Sequence, residues 1–283
     1  MQNEDDAWHD TMYDNRGRVR DHAAFLSRWA SDSARARQDN PCHLDVRYGD
    51  AAGETLDVFP APAPGGAVLV FIHGGYWRAL DKSDHSFVAP AFTRDGVCVV
   101  VPNYALAPAV TVPQITLQMV RALAWTWRNI ARFGGDPGRI RVAGHSAGGQ
   151  LAAMMLACAW QQHDAGLPPD LVSHALAISA LHDLEPIMRT PFLQSTLRLT
   201  PEQVARASPA RLPAPDHGML YSVVGGEESK EYLRQNRLIQ EAWGTERVPV
   251  CEVLPGLHHF SILGALVEPS HRLHQLALDL LRD

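Results

Sequence analysis

The sequence predicts a single α/β domain in which a mostly parallel eight-stranded sheet carries helices on both faces. Three observations point there. Short apolar runs alternate with helix-length segments from residue 67 onward, which implies crossover connections between parallel strands. The run Ala67-Val68-Leu69-Val70-Phe71-Ile72 is apolar throughout and bounded by glycines, as a strand buried on both faces should be. Gly144-His145-Ser146-Ala147-Gly148 stands between strand-like Ile140-Arg141-Val142-Ala143 and a helix-like run from Gln150 to Leu156.

Taken in order, residues 7–40 are polar and helix-prone, with Trp8, Tyr13, Phe25, Leu26 and Trp29 as scattered anchors. They read as an irregular arm and one helix near 21–38, ended by Asn40-Pro41. Residues 1–42 are therefore set apart from a main domain over 43–283. Strands are expected at 43–49, 55–60 and 67–72, then a helix near 82–94, a strand at 97–101, a helix at 113–133 and a strand at 139–144. Asp136-Pro137-Gly138 reads as a turn. A helix over 147–162 and a strand at 173–179 come next. The stretch 182–217 holds six prolines and is too long for an ordinary connection. Short helices near 184–189 and 201–206 fit it, and it reads as a small cap, the alternative being a surface excursion. Strands at 219–224 and 249–254 and helices at 230–243 and 269–281 complete the chain.

Composition narrows the classes. The chain has 283 residues, 46% hydrophobic and 20% charged, enough for one large domain. With a net charge of -6 and no basic stripe, no nucleic-acid partner is expected. Cys42, Cys98, Cys158 and Cys251 are far apart and read as small buried hydrophobes. The acidic start is not a signal peptide, and no apolar run reaches membrane-spanning length. A cytoplasmic protein is expected, with edge strands and a C-terminal helix face that leave room for a homodimer.

The chemistry is expected in the loops after the strands, because sites in such sheets form beyond the strands' carboxyl ends. A serine on a sharp strand-to-helix turn exposes its hydroxyl above the sheet, beside amides that stabilise negative charge. After the 67–72 strand comes His73-Gly74-Gly75-Tyr76-Trp77. Its glycines let the backbone aim N–H groups at a ligand. The oxyanion donors are then Gly75 and Tyr76 on this loop and Ala147 after the serine. A serine nucleophile needs a base, and the base an orienting acid, in the chain order serine, acid, histidine. The strand at 219–224 runs into Gly225-Gly226-Glu227-Glu228, and that at 249–254 leads to His258-His259-Phe260. Spacing alone leaves Glu227 or Glu228, and His258 or His259, open. Asp183 also lies just after a strand. His271 and His274, three apart on the last helix, could reach a metal, but without a third ligand they read as a solvated helix face. Trp125 and Trp127 read as packing residues.

These motifs resemble the α/β-hydrolase fold, and within it the kynurenine formamidase (arylformamidase) group and its bacterial esterase relatives. His73-Gly74-Gly75-Tyr76-Trp77 is similar to that group's H-G-G-x-W signature, and Gly144–Gly149 to its nucleophile elbow. Ile178-Ser179-Ala180-Leu181-His182-Asp183-Leu184-Glu185-Pro186 is similar to its S-G-x-x-D-L-x-P segment leading into the cap. The resemblance covers nearly the whole chain from residue 43. The family's acid sits in a G-x-x-D pattern and its histidine precedes a phenylalanine. The resemblance thus implies Glu228, with glutamate replacing aspartate, and His259. Tyr13-Asp14-Asn15-Arg16 is similar to an arm of bacterial relatives that walls the site.

The expectation is a serine hydrolase with Ser146, His259 and Glu228 as its triad. Tyr76, Trp77 and Phe260 would form an aromatic wall for a small-molecule aryl amide or ester, with no metal or organic cofactor. N-formylkynurenine is the leading substrate. A carboxylesterase, a thioesterase and a non-catalytic binding module are the alternatives.

Overall fold

Eight strands form one sheet: β1 (His43–Arg47), β2 (Thr55–Phe59), β3 (Gly66–Ile72), β4 (Cys98–Pro102), β5 (Gly135–His145), β6 (His174–Ile178), β7 (Met219–Gly225) and β8 (Val250–Leu254). The computed structural model describes residues 2–282. Strand order is β1-β2-β4-β3-β5-β6-β7-β8. The β1–β2 and β2–β4 pairs are antiparallel and the rest parallel.

Alternation along the strands separates two cores. Val68, Val70 and Ile72 of β3 enter one, and Ala67, Leu69 and Phe71 enter the other. In β4, Cys98 and Val100 face the first and Val99 and Val101 the second. Side chains on successive strand residues point to opposite faces, so an uninterrupted apolar run needs cover on both. Helices Val112–Asn129, Ala147–Leu156 and Lys230–Trp243 pack on the first face, and Arg272–Arg282 on the second.

The chain leaves β3 for β4 on one side and then crosses to β5 on the other. The strand order therefore reverses at β3, and a crevice opens beyond the carboxyl ends of β3 and β5. Among the described residues, no helix is long and apolar enough to cross a membrane.

Several expectations need correction. The 82–94 helix is two short 3₁₀ turns, Lys82–Asp84 and Ser86–Val88, followed by Ala89–Thr93. Asp81 and Asp84 cap each other reciprocally, and His85 (φ -124°) then leaves the helical region. The 147–162 helix ends at Leu156 and gives way to a separate turn, Trp160–His163, with the Trp160 ring fully buried. Asp136-Pro137-Gly138 lies inside β5, where the register against β3 shifts between the Gly66 and Val68 pairings. The arm is helical, Gln2–Tyr13 and Asn15–Arg18, the second begun by Asp14 accepting the Gly17 amide (2.9 Å). A helix over Ile262–Val267 was not anticipated. His274 is buried, not solvated. It stacks on Phe92 (4.9 Å) and donates Nδ1–H to the Leu266 carbonyl (2.8 Å).

Candidate active site

Ser146 sits between β5 and the helix Ala147–Leu156 with φ 57° and ψ -121°, a strained conformation for a non-glycine residue. Crowding forces the flanking glycines. A Cβ on Gly144 would lie 2.0 Å from the Gly148 carbonyl oxygen, and one on Gly148 would lie 2.0 Å from that of Ile72. The Ser146 amide is fixed by the Ile178 carbonyl (2.8 Å), and the residue is 2% exposed.

The loop after β3 lies against this elbow. A Cβ on Gly74 would come within 3.0 Å of the Ser146 Cβ. Gly75, Tyr76 and Trp77 all have positive φ (106°, 50° and 54°), and a Cβ on Gly75 would strike the Ala79 carbonyl oxygen at 2.0 Å. Consecutive left-handed residues turn the amides inward rather than into a ladder. Among the described residues, the Gly75, Tyr76 and Ala147 amides have no protein acceptor. Tyr104 braces the loop, its hydroxyl donating to the His73 and Gly74 carbonyls while its ring stacks on His73 at 4.3 Å.

Glu228 lies just after β7 and His259 just after β8. The His259 Nδ1–H donates to Glu228 Oε2 at 2.7 Å, and the two residues are only 6% and 7% exposed respectively. The other carboxylate oxygen accepts from the Gly225 amide (2.9 Å) and the Ser179 hydroxyl. His145 holds the histidine from behind. Burial and the neighbouring His259 keep its pKa well below the ordinary value, so it is neutral and donates Nε2–H to the His259 carbonyl (2.8 Å). Glu227 is exposed, and His258 turns away, its Nδ1 accepting the Phe260 and Ser261 amides. Asp183 pairs with Arg211. Among the described residues no group of three or more His, Cys, Asp or Glu side chains is placed to hold a metal ion.

Ser146, His259, Gly75, Tyr76 and Phe260 all line one cavity of about 490 Å³, a volume ordinary for small-molecule sites. Trp77 does not line it. Its indole is fully buried and donates Nε1–H to Gln150 Oε1 (3.0 Å), because the left-handed turn that frees the amides points this side chain into the core. Instead Trp29, from the helix His22–Asp39, joins the cavity wall and packs on Phe260 (5.9 Å).

Sequence reasoning missed Tyr232. Its ring lies 4.7 Å from that of His259. Burial drives its phenol pKa up, so the group stays protonated. Tyr76 donates to the Tyr13 carbonyl (2.8 Å), the Tyr76 and Tyr232 hydroxyls are 2.6 Å apart, and Asn15 donates to Tyr232 at 2.9 Å. One signal was available. Ser229 caps the helix Lys230–Trp243 directly after Glu228, which puts Tyr232 in a first turn facing the site.

Fold and site together define an α/β hydrolase, and comparison agrees. The chain belongs to the α/β-hydrolase fold family, whose sequence model matches residues 69–230, and it is a hydrolase. It is 30% identical over 266 residues to a kynurenine formamidase of Danio rerio, covering 91% of this chain and 88% of that one. It is 30% identical over 267 residues to esterase LipC of Mycobacterium tuberculosis, covering 82% and 63%. Its fold matches, with a TM-score of 0.81 and 29% identity over 93% of this chain and 96% of the other, a crystal structure from Silicibacter sp. TM1040 whose assignment as a thioesterase is provisional.

Proposed function

We propose that the protein hydrolyses an aryl formamide of the N-formylkynurenine type through a covalent acyl-enzyme on Ser146. The observation that carries this reading is the 2.7 Å contact between Glu228 and His259 at the wall of the cavity that Ser146 also lines. The Ser146 oxygen attacks the carbonyl carbon while His259 Nε2 takes its proton. Glu228 holds the tautomer and stabilises the imidazolium. The developing oxyanion is met by the Gly75, Tyr76 and Ala147 amides, each such donor contributing about 3 kcal/mol. His259 returns the proton to the leaving amine. A water then repeats the attack on the formyl-enzyme and releases formate.

The formamide preference draws on the Danio rerio relative, matched over most of both chains, and on a cavity walled by Trp29, Tyr76 and Phe260. The esterase relative favours a second reading, a carboxylesterase on short-acyl or aryl esters. Measuring kcat/KM for N-formylkynurenine and p-nitrophenyl acetate separates them. The formamide should be turned over at least as efficiently. Turnover thousands of times below the ester would leave only the carboxylesterase.

A further inference from the structure

Two guanidinium groups, Arg16 and Arg78, line the Ser146 cavity, and the acyl-transfer chemistry uses neither. Arg78 is held rigidly. Its Nη1 donates to the Phe192 carbonyl (2.7 Å) and the Thr196 hydroxyl (3.2 Å), and its guanidinium carbon lies 5.3 Å from the Phe192 ring centroid. Nε and Nη2 are left without a protein acceptor among the described residues. Arg16 is exposed, and no described carboxylate pairs with it. Loss of water and the charge of Arg16 both push the Arg78 pKa down, while Tyr76 pushes it up. The two like charges, which line one cavity, thus oppose each other. The cavity's carboxylate, Asp14, is turned to the Gly17 amide as a helix cap (2.9 Å).

A planar fork with free donors, a second cation lining the same cavity and no carboxylate paired with either among the described residues suit carboxylate recognition. We propose that Arg16 and Arg78 form a carboxylate-binding subsite of the Ser146 cavity. The favoured substrates then carry a carboxylate remote from the scissile bond, attached to the aryl group that the aromatic wall holds. This rests on the reading of the cavity as a serine hydrolase site. It goes further in separating anionic aryl substrates from neutral esters that the triad alone would treat alike.

The test is binding to the whole protein at low ionic strength, followed by calorimetry. The probes are 3-phenylpropionate, the neutral 3-phenylpropan-1-ol and 2-phenylethyl phosphate. The carboxylate should bind at least roughly tenfold tighter than the alcohol, and salt should erode that advantage. The advantage should shrink in R16Q, which breaks no side-chain hydrogen bond or ion pair among the described residues, and in R78K, which keeps the charge but loses the fork. Melting curves establish that each variant is folded. Equal binding of acid and alcohol, or an advantage unchanged in both variants, overturns the subsite. So does tighter binding of the phosphate, which would assign the arginines to phosphate esters. Labelling of Ser146 by a fluorophosphonate is scored separately. Labelling without a carboxylate preference removes the subsite and leaves the hydrolase reading standing. A carboxylate preference without labelling removes that reading.

Discussion

Two regions outside the sheet reach the cavity above Ser146, and they differ in a way their sequences conceal. The N-terminal arm and its following helix contribute Tyr13, Asp14, Asn15, Arg16, Leu26 and Trp29 to the lining, whereas the Pro-rich stretch 182–217 contributes Thr196 among the described residues. Length and proline content pointed to the second region as the cover. Its prolines have another task. Pro186, Pro191, Pro201 and Pro209 each stand at the start of a short helix, where a fixed φ and a missing N–H cost nothing. They build a packed shoulder, with Leu193 and Leu197 buried in the core. The N-terminal region is buried as well, Tyr13 in one core and Trp29 in the other, but it adds polar contacts at the site itself, Tyr13 to Glu231 (2.7 Å) and Asn15 to Tyr232 (2.9 Å). One region is joined to the core, and the other to the core and to the residues around Ser146.

The contrast is broken or sharpened first by truncating an anchor in each region. Tyr13→Ala and Leu193→Ala both empty fully buried positions, and each should cost about 2–5 kcal/mol in urea unfolding. Only Tyr13→Ala should also lower kcat/KM, at least roughly tenfold, because the Tyr13 ring packs edge-on against Tyr232 (5.9 Å) and its hydroxyl ties the arm to Glu231 beside the site. An equal loss of activity in Leu193→Ala would break the comparison.

Acid should act next. Burial pushes the pKa values of His182, which opens the Pro-rich stretch, and His85 down to about 3. The unfolded chain binds protons at these residues below about pH 6.5 and the folded chain does not. Stability is therefore full above that pH and falls as pH drops toward 3, by about 2 kcal/mol per histidine between pH 7 and pH 5. Urea midpoints at the two pH values check this. Replacing His182 by Asn should reduce the pH 5 to pH 7 difference.

Trp77→Phe keeps most of the volume but strands Gln150 Oε1, whose amide nitrogen also donates to the Ala207 carbonyl of the Pro-rich stretch (2.8 Å). The expected cost is about 1–2 kcal/mol, with KM for an aryl ester within about twofold because the indole is outside the cavity. A large KM change would return Trp77 to the wall. The smallest effect belongs to Thr196→Ala. It removes one 3.2 Å contact to Arg78, which keeps its 2.7 Å bond to the Phe192 carbonyl. Stability should move by less than about 0.5 kcal/mol.

Much of the sheet was legible because burial on both faces leaves an uninterrupted apolar signature, as in β3 and β4. The elbow was legible because only glycine fits beside Ser146. The Glu227/Glu228 and His258/His259 choices were not readable from spacing, since adjacent residues differ only in direction. Three-dimensional packing turns one of each pair inward. Trp77 was misassigned for a related reason: positive φ at Tyr76 and Trp77 redirects a side chain in a way that no periodicity records. Tyr13 and Asn15 are separated from Tyr232 by more than two hundred positions, and the polar bonds that unite them leave no hydrophobic pattern. The helical arm was read as irregular because its dominant signal is polar. Its order comes from docking.

The central claim is that Ser146 is activated by His259 under the direction of Glu228. The most direct measurement is intact-protein mass spectrometry of fluorophosphonate labelling, timed in the wild type and in H259N. The expected result is a single adduct on Ser146, formed at least about a thousandfold more slowly in the variant. An adduct on another residue, or equal rates in the two proteins, would contradict it.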